Sequence, residues 1–129
     1  MRSATLAAFL IALTAGASLA QQAKVNPLLT KDLAGLEGKE GVMLTVEYAP
    51  GAASTGHRHN AHTFVYVLEG SIVMQVKGGP EVTLGPGQTF YESPADIHAV
   101  SKNASATLPA KFLVVFVKEK GAPASVPVP

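Results

Sequence analysis

The sequence predicts an all-β fold, and three observations carry that expectation. Short apolar or alternating runs recur along the body of the chain. Glycine and proline, 12 and 9 of the 129 residues, fall between those runs as turn signals. No internal repeat, coiled-coil heptad or dinucleotide glycine motif interrupts the pattern. Short strands at this spacing build a sandwich or a barrel.

Taken in order, the first twenty residues read as a secretory signal peptide. Met1-Arg2 gives a positive start, Ala4 to Ala15 is almost wholly apolar, and Ser18-Leu19-Ala20 places small residues at a cleavage site. The apolar run from Leu6 to Ala20 is shorter than the roughly 20 residues a spanning helix needs, so cleavage is expected rather than a retained anchor. Residues 21–40 show no clear period and read as an N-terminal arm with a short strand or turn. The folded domain is expected over residues 41–120. It opens with Val42 to Tyr48, where Val42, Leu44, Val46 and Tyr48 share one face of a half-buried strand.

Thr63 to Leu68 and Ser71 to Lys77 flank Glu69-Gly70, which reads as a tight hairpin. Gly78-Gly79-Pro80 turns the chain into Glu81 to Leu84, and Gly85-Pro86-Gly87 turns it again into Gln88 to Glu92. Phe112 to Val117 is apolar on both faces, so that strand is central or covered by a partner subunit. Val65, Val67, Phe90, Tyr91, Phe112 and Phe116 are the expected barrel core. Residues 121–129 end in Val-Pro-Val-Pro and read as a flexible tail.

Composition narrows the function. Loss of Arg2 with the leader leaves basic and acidic side chains equal in number, and there is no basic stripe or zinc-finger spacing. Nucleic acid is therefore not an expected partner, nor is a membrane once the leader is removed. The absence of cysteine means that an exported protein, periplasmic or secreted, must fold without disulfides.

All four histidines lie between residues 57 and 98, as His57, His59, His62 and His98. On a strand, residues i and i+2 face the same way about 6.6 Å apart, so His57 and His59 can share one metal ion. A third imidazole from a later strand, His98, completes a three-nitrogen face with positions left open. A bare His-x-His also occurs on exposed polar strands, and it is the third histidine that separates the two readings. His62 points away from that face if the strand is regular and joins it only through a bulge. Arg58 is expected to face outward. Glu92 either sits exposed on its strand or brings a carboxylate to the site.

These residues resemble the cupin family. Gly51, His57-Arg58-His59 and Gly70 reproduce the spacing of its first motif, with Thr63 where a glutamate ligand belongs. Gly87 and His98 hold their places in the second motif, Ser93 and Ala95 replace its proline and second glycine, and Pro94 and Asn103 stand one place late. The resemblance implies a double-stranded β-helix, the cupin jelly-roll barrel, with a metal near one mouth. It assigns His57, His59 and His98 as ligands of one divalent transition metal (iron, manganese, zinc, copper or nickel) and puts Thr63 at the glutamate position; the strand reading leaves His62 and Glu92 as further residues that could add to the site.

Two functions follow. One is a mononuclear three-histidine oxygenase or other oxidoreductase acting on a small organic molecule. The other is a binding protein that holds a metal or small ligand without turnover. A sugar isomerase fits less well, because such cupins usually keep the glutamate. A homodimer paired through the Phe112–Val117 sheet is expected in either case.

Overall fold

A computed structural model describes residues 23–129; the leader expected over residues 1–20 lies outside them. Eleven strands are present: β1 (Lys24–Asp32), β2 (Lys39–Tyr48), β3 (Ala53–Ser54), β4 (His57–Arg58), β5 (His62–Glu69), β6 (Ile72–Val76), β7 (Val82–Leu84), β8 (Thr89–Glu92), β9 (His98–Asn103), β10 (Ala110–Glu119) and β11 (Val126–Pro127). They form two antiparallel sheets, ordered β1-β2-β10-β5-β8 and β11-β4-β9-β6-β7, with β3 also paired to β9. No helix occurs among the described residues.

Alternation decides what lies between the sheets. Leu44, Val46 and Tyr48 of β2 meet Phe112, Val114 and Phe116 of β10 through the register Val46↔Phe112 and Leu44↔Val114. Val65 and Val67 of β5 and Ile72 and Met74 of β6 complete the core, and each large apolar side chain buried there contributes about 1.5–3 kcal/mol. Phe90 packs against this core only in part, and Tyr91, expected inside, is 47% exposed. The pleat explains the exception, since Tyr91 is the outward neighbour of the inward Glu92.

Three expectations about the chain path are corrected. Glu69-Gly70 does not close a hairpin: β5 pairs with β10 and β8, β6 pairs with β9 and β7, and the chain crosses from one sheet to the other at that corner. Gly70 (φ 71°) is required there, because a Cβ would stand 2.3 Å from the Pro109 carbonyl oxygen. The N-terminal arm is a nine-residue edge strand, β1, paired with β2. Almost all of β1 is exposed, so ladder hydrogen bonds rather than a buried face hold it, and no hydrophobic period marks it in the sequence. The flexible tail is also a structural element, because Val126–Pro127 pair with Arg58 and His57 of β4.

Asn103 secures the turn after β9. Its amide nitrogen lies 3.1 Å from the Ala49 carbonyl and 2.7 Å from that of Leu108, while its Oδ1 accepts from the Ser105 N–H at 2.8 Å. One buried side chain thus ties β2, β9 and the approach to β10 together.

Candidate metal centre

His57 and His98 come together because they are direct partners across β4 and β9. His59 follows β4, and Asn60 in the left-handed region (φ 52°) turns the chain before β5 begins at His62. The result is a group of His57, His59 and His98 whose ligand atoms all lie within 4.8 Å of one another. His62 is exposed and hydrogen-bonded to the Tyr91 hydroxyl at 2.6 Å, outside the group. Arg58 does not line the cavity beside these rings.

Backbone carbonyls set the tautomers. A carbonyl only accepts, so the contacts of His57 Nδ1 with Thr55 O and of His59 Nδ1 with Ala124 O, both 2.7 Å, place the ring protons on Nδ1. In the neutral rings both Nε2 atoms then carry lone pairs, and they face each other at 3.1 Å. Two nitrogens about 2.1 Å from one ion, at angles of about 90–110°, stand roughly 2.9–3.4 Å apart, so the separation fits a shared cation. Burial, only partly offset by the Ala124 contact, lowers His59 to about 4, and burial together with His57 and His59 lowers His98 to about 3. Both rings are therefore neutral near pH 7, the form a metal requires.

The third imidazole has a different orientation. His98 Nε2 lies 3.0 Å from the Met74 sulfur, which only accepts, so its proton sits on Nε2 and Nδ1 keeps a lone pair. That Nδ1 is buried without a hydrogen-bond partner. Glu92, expected by one reading to be exposed, is instead 2% exposed. Its Oε1 lies 3.2 Å from His98 Nδ1 and its Oε2 3.6 Å from His59 Nε2. Burial, with the charge of Asp96 adding to it, pushes this carboxyl up to about 7. The donor set of clustered lone pairs fits a divalent cation. Thr63 is buried beside Glu92 as its partner across β5 and β8, and its hydroxyl donates to the Ala61 carbonyl at 3.4 Å.

A cavity of about 480 Å³ adjoins the group. Leu44, Val46, Val65, Val114 and Phe116 supply apolar wall, and the Phe116 ring packs 4.9 Å from that of His59. Tyr48, Ser54 and Ser101 supply a polar spot: the Tyr48 hydroxyl hydrogen-bonds both serine hydroxyls at 2.7 Å, and burial raises the Tyr48 phenol, keeping it protonated. Sequence reasoning placed Tyr48 on one face of a half-buried strand and did not single out Ser54, Ser101 or Met74. Alternation signalled only that Tyr48 faces inward. Ala124, Ser125 and Pro127 of the C-terminal segment also line the cavity, so the tail forms part of its wall.

The comparisons agree with this fold. A solved oxalate oxidase in complex with the substrate analogue glycolate is 23% identical over 81% of this chain and 54% of its own, with a TM-score of 0.62. A DMSP lyase from Ruegeria pomeroyi is 22% identical over 67% of this chain, at a TM-score of 0.58, and the chain spans only 42% of that lyase's length. A protein from Thermus thermophilus is 26% identical over 75% of this chain and 84% of its own, at a TM-score of 0.58. No curated protein sequence matches the chain. The family description "Cupin domain" matches residues 44–116, more than half of the chain and the whole span from the core of β2 through the histidine group to Phe116, and on that match the protein belongs to the cupin family.

Proposed function

We propose that this cupin is exported, binds one divalent transition metal ion through His57, His59 and His98, and acts as an oxidoreductase on a small organic molecule. The observation that carries the metal reading is the pair of Nε2 lone pairs 3.1 Å apart, each ring held in that tautomer by a carbonyl. When bound, the ion would supply Lewis-acid or redox chemistry at a face with room for substrate. The protein's own part is to fix the imidazoles, exclude water with Phe116 and the aliphatic wall, and offer the Tyr48–Ser54–Ser101 hydroxyls to a polar substrate group. The solved neighbours include an oxalate oxidase and DMSP lyases, which supports a small-molecule substrate.

Metal content after dialysis tests the site. His57→Ala/His59→Ala should lose most of its metal and His62→Ala almost none; retention in the double variant would remove the reading. Dioxygen consumption by iron-loaded protein with diketones, catechols and flavonols then tests turnover. The second reading, binding without turnover, is favoured by the mainly apolar wall, whose polar side chains away from the histidines and Glu92 are small hydroxyls and Tyr48. Metal binding with no dioxygen uptake on any of these compounds would select it.

A further inference from the structure

We propose that Glu92 is the carboxylate ligand of this metal centre, supplied from β8 in place of the one that the first motif would carry at Thr63. The inference rests on the three-histidine reading above and adds a donor to it.

Register is the first argument. Thr63 of β5 and Glu92 of β8 are direct antiparallel partners, both turned inward and both buried, at 1% and 2% exposure. Side chains so paired have Cβ atoms about 4.5–5.5 Å apart on the same face of the sheet, a gap a glutamate side chain can span. Threonine leaves that space open, and its hydroxyl is turned to its own strand, donating to Ala61 O. The carboxylate that the first motif would place on β5 is thus offered from the adjacent position on β8.

Satisfaction of polar groups is the second. Glu92 Oε2 and His98 Nδ1 are both buried with no hydrogen-bond partner. The carboxylate oxygens stand 3.2 Å from His98 Nδ1 and 3.6 Å from His59 Nε2, among atoms that carry lone pairs. Buried polar atoms are seldom left unpaired, and an ionised Glu92 set among these lone pairs is satisfied by a cation. A carboxylate that merely oriented His98 would accept its Nδ1 proton in a hydrogen bond, and that bond is not formed, because the ring proton faces Met74. Adding an oxygen anion to three neutral nitrogens shifts the site toward harder ions such as manganese(II) and iron(II).

The test uses chelator-stripped protein titrated with manganese(II) and with zinc(II) by calorimetry. Three forms are compared: wild type, Glu92→Gln, and the exchange Thr63→Glu/Glu92→Thr. Glu92→Gln should lose at least about tenfold in manganese affinity, the lower end of what even an outer residue of a metal site costs, and lose less for zinc. The exchange should recover most of the loss, and the electron paramagnetic resonance spectrum of bound manganese should change in Glu92→Gln and return toward wild type in the exchange. A positioning role alone predicts equal losses for both metals and no recovery, and that result would overturn the proposal. So would wild-type manganese affinity in Glu92→Gln, with the histidine reading left intact if His57→Ala/His59→Ala still loses metal. Failure of wild type to bind either ion would overturn both.

Discussion

Glu92→Gln should change the stability of the protein in opposite directions with and without metal. Burial first, then Asp96, raises the Glu92 carboxyl from 4.5 to about 7. An acid whose folded value lies above its unfolded one binds more protons folded than unfolded in that window. Stability therefore falls as pH rises from about 4.5, and the loss is complete above about 7. At about 1.4 kcal/mol per pKa unit, ionising the buried carboxyl costs the metal-free fold about 3 kcal/mol. Glutamine has no proton to lose, and its amide N–H can donate to His98 Nδ1, which lies 3.2 Å from the carboxylate oxygen. Protonation of His59 and His98, held near 4 and 3 by burial, weakens both proteins alike below about pH 6.5 and cancels in the difference. Urea unfolding of chelator-stripped protein should show little difference below pH 4.5 and a variant more stable by up to about 3 kcal/mol at pH 8. Saturating metal should reverse the order, because an ionised carboxylate then faces a cation. A metal-free variant less stable than wild type at pH 8, or a difference that does not vary with pH, would refute the reasoning.

Deletion of residues 123–129 removes the Ala124 carbonyl from His59 but keeps Ala122, whose carbonyl accepts from Lys118 Nζ at 2.6 Å. Metal affinity should fall about 10–100-fold with the β spectrum unchanged, as measured by calorimetry and circular dichroism. The outer face of β5, β8 and β10 exposes Phe64, Tyr66 and Tyr91 beside Leu113 and Val115, and a second copy is the expected cover. Leu113→Glu/Phe64→Glu should sediment as a monomer while wild type sediments as a dimer at micromolar concentration; a monomeric wild type ends that expectation. Chelation should lower the melting temperature without unfolding the chain, since an ion at a hundred times its dissociation constant adds only about 2.7 kcal/mol to a core that stands without it. Collapse of the far-ultraviolet spectrum on chelation would contradict this.

The all-β class, the inward face of β2 and the three-histidine group were legible in the sequence because each depends on local spacing. Alternation sets the face, and the distance from His57-Arg58-His59 to His98 matches two motifs that one fold brings together. The outward direction of His62 followed from the same parity and agrees with the structure, even though Asn60 breaks the strand before it. Other features depended on partners distant in the chain. Glu92 is buried because β8 pairs with β5 and sets it against Thr63, and no pattern within Thr89–Glu92 distinguishes a buried glutamate from an exposed one. The tail becomes cavity wall because β11 finds β4, and β1 is a strand because β2 offers it a ladder rather than a core to enter. The Glu69-Gly70 corner has the residues of a hairpin, yet the Pro109 and Ala110 backbone pressed against Gly70 accompanies a crossing between sheets. Side-chain periodicity is written residue by residue, whereas register and strand partnership are free energies of the whole fold, and the carboxylate of this site was decided by the second kind.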